Sequence, residues 1–163
     1  MRNFYWLIDG ALGGCSRPGV LEPERRGGSS PEVLENDLAW LRAQGIDAVL
    51  SLTETPLSPE ILTRHALTTL HLPITDMQAP TAAELRRALE FIDQQRAAGR
   101  RVVVHCLVGQ GRTGTVLAAY LIRGGHSLTE ALAAVRAVCP HAVENQRQER
   151  ALADFAAERG WLI

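Results

Sequence analysis

Residues 102–114 read VVVHCLVGQGRTG, an apolar β-branched run that leads directly into a turn rich in glycine. The valines favour a buried strand, and the segment from Thr115 to Arg123 is helical in character. A strand, a turn and a helix start form a cradle for an anion, because backbone N–H groups of the turn point inward and the helix dipole adds partial positive charge. The stretch therefore predicts an anion site at the end of a central strand.

Two side chains give this cradle its chemistry. Cys106 lies at its mouth, where a helix N-terminus and a nearby arginine favour the nucleophilic thiolate. Arg112 lies at the far rim, and its planar fork can bind two phosphate oxygens at once. A thiolate inside a phosphate-binding loop indicates phosphoryl transfer through a phosphocysteine. The alternative is an inert core thiol, but an apolar core has little use for three glycines and an arginine.

The loop resembles the signature His-Cys-x-x-Gly-x-x-Arg-Ser/Thr of the cysteine-based protein tyrosine phosphatases. Here the defined positions are His105, Cys106, Gly109, Arg112 and Thr113. The small size of the chain and the trailing Thr113-Gly114 resemble the single-domain atypical dual-specificity phosphatases. The resemblance extends from about Phe4 to Trp161 and implies hydrolysis of phosphomonoesters on proteins. It implies phosphotyrosine as substrate and leaves phosphoserine and phosphothreonine open.

The same resemblance implies roles within the loop. Thr113 is expected to donate its hydroxyl to the Cys106 thiolate, or else to cap the helix. His105 is expected to orient the loop through its backbone. Glycines 109, 111 and 114 are expected to allow close phosphate approach and unusual backbone angles. The phosphate is expected to contact Arg112 and the loop residues Leu107, Val108, Gly109, Gln110 and Gly111.

A second loop, PITDMQAP at residues 73–80, carries the candidate general acid. Asp76 lies 30 residues before Cys106, after a predicted strand and before a long helix. This placement resembles the general-acid loop of the family, and Pro73 and Pro80 would restrict the loop's conformations. The alternative is a solvated aspartate that forms a turn. We predict that Asp76 protonates the leaving group.

A third segment, VENQRQE at residues 143–149, resembles the family loop that orients the attacking water. Glu144 or Gln148 would fill that role, and the alternative is a charged helix start. Arg17, in the N-terminal loop, is expected to be solvated, although it could line the pocket.

The variable positions of the phosphate loop indicate the class of substrate. Leu107, Val108 and Gln110 are uncharged, which favours a substrate with one phosphate over a polyphosphorylated one. A small non-protein phosphoester, such as an inositol phosphate or a phospholipid headgroup, is the alternative substrate. Alternatives from other classes are a phospho-binding module, a rhodanese-like sulfurtransferase and an arsenate reductase. The presence of both Cys106 and Asp76 argues against these.

The composition of the chain bears on its domain number, its partners and its compartment. The 163 residues fit one domain spanning 1–163, and a net charge of −1 gives no field that would attract nucleic acid or an anionic membrane. Three cysteines without framework spacing do not indicate a disulfide scaffold. No metal-ligand cluster or cofactor motif is present, so no metal and no cofactor are expected. With no long apolar segment, the prediction is a monomeric cytoplasmic protein.

Periodicity predicts an α/β fold, a central, mostly parallel sheet flanked by helices. Ser30 and the pair Thr81 and Glu84 fit helix N-caps. The three tryptophans are expected to anchor the core: Trp6, Trp40 and Trp161. The predicted strands are 4–8, 11–13, 47–53, 68–72 and 102–105, and the predicted helices are 31–44, a short one from 58, 81–98, 112–123, 127–138 and 145–158.

Overall fold

Strands and helices alternate along much of the chain, which a computed structural model describes at residues 1–22 and 28–160. Each predicted element is present, with boundaries within two residues of those expected from the sequence. The elements are β1 (Tyr5–Ile8), β2 (Leu12–Cys15), α1 (Pro31–Ala43), β3 (Ile46–Ser51), α2 (Pro59–Arg64), β4 (Thr68–His71), α3 (Ala82–Ala97), β5 (Arg101–His105), α4 (Gly111–Arg123), α5 (Leu128–Val138) and α6 (Gln146–Gly160).

The five strands form one mixed sheet in the order β1-β2-β5-β3-β4. β5 lies at the centre, parallel to both β2 and β3, and β4 is parallel to β3. Only β1 runs antiparallel, as the hairpin partner of β2. The predicted α/β class with a mostly parallel sheet is confirmed. Because the carboxyl ends of β2, β5, β3 and β4 meet at one edge, the loops that follow them converge there.

Helices cover both faces of this sheet, and the alternation of side chains along each strand divides the core in two. Val103 and Val49 face α1 and α2. Val102, Val104 and Leu50 face α3, α4, α5 and α6. The central strand is thus buried on both sides, as expected from its continuous run of valine.

Helix α3 begins where the sequence predicts, directly after the loop that carries Asp76. The Thr81 hydroxyl accepts from the Glu84 N–H at 3.2 Å, and the Glu84 carboxylate accepts from the Thr81 N–H at 2.7 Å. This reciprocal capping box satisfies two backbone donors that the first turn would otherwise leave unpaired. It fixes the point at which the loop ends.

The expectation for Trp40 is wrong. The residue is 38% exposed, and its ring meets the Phe4 ring edge to face, with 5.1 Å between the centroids. The buried positions of α1 include Leu38 and Leu41. Trp40 lies about 200° around the helix from Leu38, so it points away from the core. Trp6 is partly buried against the core, and Trp161 lies outside the described residues.

No helix within the described residues is long and apolar enough to cross a lipid bilayer.

Candidate active site

The loop between β5 and α4 curls around the Cys106 sulfur. Cys106 is nearly buried, and the Gly109 N–H donates to its Sγ at 3.3 Å. Helix α4 begins immediately afterwards, and Gln110 at its N-cap makes no side-chain capping bond. The first N–H groups of α4 therefore have no side-chain acceptor from their cap, as suits a helix terminus that binds an anion.

Gly109 is a position where the loop geometry requires glycine. Its φ is +87°, and a Cβ there would lie 2.5 Å from the Cys15 carbonyl carbon and 2.9 Å from the Ser16 nitrogen. The loop thus packs backbone against backbone on the end of β2. The Tyr5 hydroxyl donates to the Gly109 carbonyl at 2.7 Å and secures the same turn. Burial raises the pKa of Tyr5, so its hydroxyl keeps the proton that it donates.

The expectation of unusual backbone angles is wrong for Gly111 and Gly114. Both lie within α4, and of the three loop glycines only Gly109 has a positive φ. A Cβ at Gly111 would clash with the Glu144 carboxylate, and one at Gly114 would lie 2.9 Å from the Ala142 Cβ. These two glycines instead let the segment before α6 pack against the first turn of α4.

Arg112 connects this loop to the Asp76 loop. Its guanidinium is 2% exposed; Nη2 donates to Asp76 Oδ1 at 3.0 Å, and Nη1 donates to the Ile74 carbonyl at 2.8 Å. Nη1 also lies 3.3 Å from Glu54 Oε2. Two carboxylates thus face the group predicted to bind phosphate. The structure brings Cys106, Arg112 and Asp76 into one site.

The Asp76 loop is held by neighbours on both sides. The Asp76 N–H donates to Glu54 Oε1 at 2.5 Å, and Asn145 Nδ2 donates to the Met77 carbonyl at 3.0 Å. Met77 has a φ of +62°, and its side chain is 47% exposed beside the site. The loop therefore has a defined conformation, fixed by one residue after β3 and another before α6.

Glu54 is a site residue that sequence reasoning missed. Burial raises its pKa, but the N–H groups of Glu54 and Asp76 and the charge of Arg112 outweigh burial, so the pKa lies below its usual value. The available signal was positional, because Glu54 follows β3 at the edge where Cys106 follows β5.

Glu144 and Gln148 lie beside the first turn of α4. Gln148 is fully buried; its Oε1 accepts from the Glu144 N–H at 2.8 Å, and its Nε2 donates to the Gln78 carbonyl at 3.4 Å. Burial raises the pKa of Glu144, and the charge of Asp76 adds to this effect, while Arg112 and His141 act in the opposite direction. Both side chains thus lie against Gly111, and both amide atoms of Gln148 are bonded to protein groups.

The expected bond between Thr113 and Cys106 is not formed. The Thr113 hydroxyl is fully buried and has no hydrogen-bond partner among the described residues. The donor to Cys106 Sγ is instead the Gly109 N–H. Thr113 lies within the first turn of α4.

His105 lies beneath the loop and is fully buried. Its Nδ1 lies 3.2 Å from the Cys106 carbonyl, and its Nε2 lies 2.7 Å from the Ser51 hydroxyl. A carbonyl only accepts, so Nδ1 carries the proton and Nε2 accepts from Ser51. Burial lowers the pKa of His105 to about 3, which keeps the ring neutral. Ser51 is a second partner that the sequence did not indicate.

The expectation of a solvated Arg17 is wrong. Its guanidinium donates to the Thr53 hydroxyl at 2.5 Å, the Thr55 carbonyl at 2.7 Å and the Pro56 carbonyl at 3.0 Å. Its backbone N–H donates to the Leu107 carbonyl at 2.9 Å. Arg17 therefore joins the phosphate loop to the segment that carries Glu54. Arg17 is partly buried, and these three acceptors hold its guanidinium against residues 53–56.

Within the described ranges, no group of three or more His, Cys, Asp or Glu side chains could hold a metal ion.

Comparison with known proteins identifies the class. Residues 25–126 match a family model described as "Polymorphic toxin system, DSP-PTPase phosphatase". The chain belongs to this family of DSP-PTPase phosphatases, which are cysteine-dependent enzymes. The crystal structure of Tk-PTP in the active form is 32% identical, with a TM-score of 0.80 over 96% of this chain and 99% of that one.

Curated relatives match over shorter stretches. The uncharacterized protein MJECL20 of Methanocaldococcus jannaschii is 37% identical over 92 residues, which are 56% of this chain and 61% of that protein. The phosphatidylglycerophosphate phosphatase PTPMT2 of Arabidopsis thaliana is 29% identical over 126 residues, which are 74% of this chain and 55% of that protein. The chain thus matches roughly half to three fifths of the length of these relatives.

Proposed function

We propose that this protein hydrolyses phosphomonoesters through a phosphocysteine on Cys106. The observation that carries the proposal is the 3.0 Å contact between Arg112 Nη2 and Asp76 Oδ1, beside the loop that encloses the Cys106 sulfur. The contact places the candidate acid on the group that would bind phosphate. Membership of the DSP-PTPase family supports the same chemistry.

In the first step the phosphoryl group enters the loop and replaces Asp76 as the partner of Arg112 Nη2. The Cys106 thiolate attacks phosphorus, the S–P bond forms, and the P–O bond to the alcohol or phenol breaks. Asp76, displaced but still adjacent, gives its proton to the departing oxygen. The N–H groups of the loop and of the first turn of α4 stabilise the charge that develops on the phosphoryl oxygens.

In the second step water attacks the phosphocysteine. Asp76 accepts a proton from that water, and Glu144 or Gln148 orients it from beside Gly111. The S–P bond breaks, inorganic phosphate leaves, and the electron pair returns to sulfur. The Thr113 hydroxyl, which has no hydrogen-bond partner among the described residues, then donates to the departing thiolate.

The substrate we favour carries a single phosphate on a protein side chain, phosphotyrosine first, with phosphoserine and phosphothreonine open. Leu107, Val108 and Gln110 supply no charge for further phosphates. A small or lipid phosphomonoester is the second candidate, favoured by the phosphatidylglycerophosphate phosphatase among the relatives. The uncharged loop fits either one, since both present a single monoester.

We also propose that residues 1–163 act as one catalytic domain, as a monomer in the cytoplasm. The three cysteines are buried and free, and a thiolate nucleophile requires a reducing compartment. A net charge of −1 supplies no attraction to nucleic acid or to an anionic membrane.

The test is turnover of p-nitrophenyl phosphate by the wild type and by Cys106→Ser. We expect the serine variant to fold normally and to lose essentially all activity. Cys139→Ser should keep it, because a serine hydroxyl can still donate to the Gly109 carbonyl as the buried Cys139 thiol does. Rapid acid quench with mass spectrometry should find a phosphoryl group on Cys106 during turnover.

Full activity in Cys106→Ser would refute the phosphocysteine. Turnover of thiosulfate or arsenate without turnover of p-nitrophenyl phosphate would instead support a sulfurtransferase or an arsenate reductase. Relative kcat/KM for phosphotyrosine peptides, phosphoserine peptides and a glycerophosphate lipid then decides between the two substrate classes.

A further inference from the structure

One carboxylate joins the two loops on which the proposed chemistry depends. Glu54 Oε1 accepts from the Asp76 N–H at 2.5 Å, and Glu54 Oε2 lies 3.3 Å from Arg112 Nη1. We infer that Glu54 is a positioning residue, which holds the backbone of the acid loop at the distance from Arg112 where Asp76 can protonate a leaving group. This inference rests on the function proposed above.

The contacts of Glu54 are compatible with a bound phosphate, whereas the contact between Asp76 and Arg112 is not. A phosphate in the loop takes Arg112 Nη2, so it displaces the Asp76 side chain. Nη1 is held on the other side by the Ile74 carbonyl at 2.8 Å and by Glu54. The bond from Glu54 to the Asp76 backbone N–H therefore remains when the Asp76 carboxyl is released. A released carboxyl on an anchored backbone stays near the scissile oxygen.

The segment that carries Glu54 is itself fixed. Arg17 donates to Thr53 before it and to Thr55 and Pro56 after it, and the backbone N–H of Arg17 bonds to the phosphate-loop carbonyl of Leu107. The chain of contacts runs from the phosphate loop through Arg17 to Glu54 and on to Asp76. Each member is set relative to the same loop that holds the substrate.

Stability alone does not account for this carboxylate. The Glu54 side chain is 49% exposed, and ion pairs at such exposure contribute little to folding. The pKa of Glu54 lies below its usual value even though burial raises it, because N–H groups and Arg112 favour the charged form. Glu54 is thus ionised at neutral pH, and it remains an acceptor for the Asp76 N–H.

The experiment compares kcat/KM for two substrates, phenyl phosphate and the phosphate of a strongly acidic fluorinated phenol. The first leaving group needs a proton and the second does not. Glu54→Ala removes both contacts, whereas Glu54→Gln keeps an amide oxygen for the Asp76 N–H. Glu35→Gln is the control. It removes a carboxylate on α1, outside the site, that is paired with Arg64 and His65.

We expect Glu54→Ala to lose roughly tenfold on phenyl phosphate and less than about twofold on the fluorinated substrate, a fraction of the range for general acid catalysis. Glu54→Gln should recover most of the loss on phenyl phosphate, and Glu35→Gln should match the wild type. Retained activity on the fluorinated substrate also shows that the alanine variant folds.

An equal loss on both substrates in Glu54→Ala would overturn the inference, and so would a glutamine variant as impaired as alanine. Asp76→Asn, measured in parallel, distinguishes a failure of the Glu54 role from a failure of the proposed function. If Asp76→Asn loses activity selectively on phenyl phosphate and Glu54→Ala does not, only the role of Glu54 fails. If the wild type hydrolyses neither substrate, the proposed function fails.

Discussion

At the scale of single residues, the Thr113 hydroxyl destabilises the fold but has a proposed role in catalysis. A buried hydroxyl without a partner destabilises a folded protein by about 1–3 kcal/mol relative to a bonded one. Thr113 carries a hydroxyl of this kind, without a partner among the described residues. A buried threonine at this position fits a hydroxyl that donates to the Cys106 thiolate only when the S–P bond breaks.

We therefore predict that Thr113→Val unfolds at the same or a higher urea concentration than the wild type. Its kcat should fall by roughly 10²-fold or more, the effect of one lost transition-state donor. Phosphocysteine should accumulate, because its hydrolysis becomes the slow step, and a burst of phenol release should appear in stopped-flow measurements. A destabilised variant with unchanged kcat would assign Thr113 a structural role.

Residue identity in the site could be predicted where chemistry and spacing lie in one short stretch. Cys106 and Arg112 belong to one loop, and Asp76 has its own loop with flanking prolines. Glu54, Ser51 and Tyr5 belong to no such pattern, since they act through hydrogen bonds to other segments of the chain. Their partners are distant in sequence, and only the strand order brings them together.

At the scale of elements, the phosphate loop depends on a backbone contact that no side chain can share. Gly109 has a φ of +87°, and a Cβ added there would lie only 2.5 Å from the Cys15 carbonyl carbon. The sequence motif predicted an unusual backbone angle at this glycine, but the same prediction was wrong for Gly111 and Gly114. A helix interior also accepts glycine when a neighbouring segment packs against it, and that neighbour, residues 142–148, is not visible from the loop sequence.

We predict that Gly109→Ala distorts the loop, because both the positive φ and the Cys15 carbonyl exclude a Cβ. The free energy of unfolding should fall by about 1–3 kcal/mol, as for backbone strain at one position. The kcat should fall by a larger factor than the loss of folded protein explains, since the loop N–H groups no longer point toward the phosphate. Gly28→Ala is the control, because no atom of the described residues lies within 4 Å of a Cβ there. Urea unfolding and steady-state kinetics on both variants measure the two effects.

Elements were predictable because each carries its own boundary signals. Ser30 accepts from the Val33 N–H at 3.4 Å at the start of α1, and Thr81 with Glu84 caps α3. Trp40 shows where such reasoning stops. Size and hydrophobicity alone suggest a buried tryptophan, but position around the helix axis decides the face, and the buried stripe of α1 passes through Leu38 and Leu41.

At the scale of the whole molecule, the site is assembled by strand order. β5 and β3 are neighbours, so the residues after them, Cys106 and Glu54, meet at one edge. A mostly parallel sheet followed from the alternation of strands and helices, but the order β1-β2-β5-β3-β4 did not. His105 lies at this junction, bonded across to Ser51 at the end of β3. It couples the stability of the sheet to pH.

The pKa of His105 is lowered by burial to about 3, against 6.5 for an exposed ring. Between these values the unfolded chain binds a proton that the folded protein does not, so acid favours unfolding. The neutral ring contributes its full stabilisation above about pH 6.5, and the contribution is lost as pH falls toward 3. One such proton corresponds to a slope of at most about 1.4 kcal/mol per pH unit. We predict that the free energy of unfolding decreases with this sign from pH 6.5 downward.

The test is urea unfolding at several pH values from 7 to 4 for the wild type, His105→Gln and His126→Gln. His105→Gln should be less stable at pH 7, because its amide cannot reproduce both ring contacts, but it should lose less stability than the wild type as pH falls. The two curves therefore converge in acid. His126 lies exposed after α4, so its variant should follow the wild-type curve. Parallel curves for wild type and His105→Gln would show that His105 is protonated in the folded protein, and the neutral ring between Cys106 and Ser51 would then be wrong.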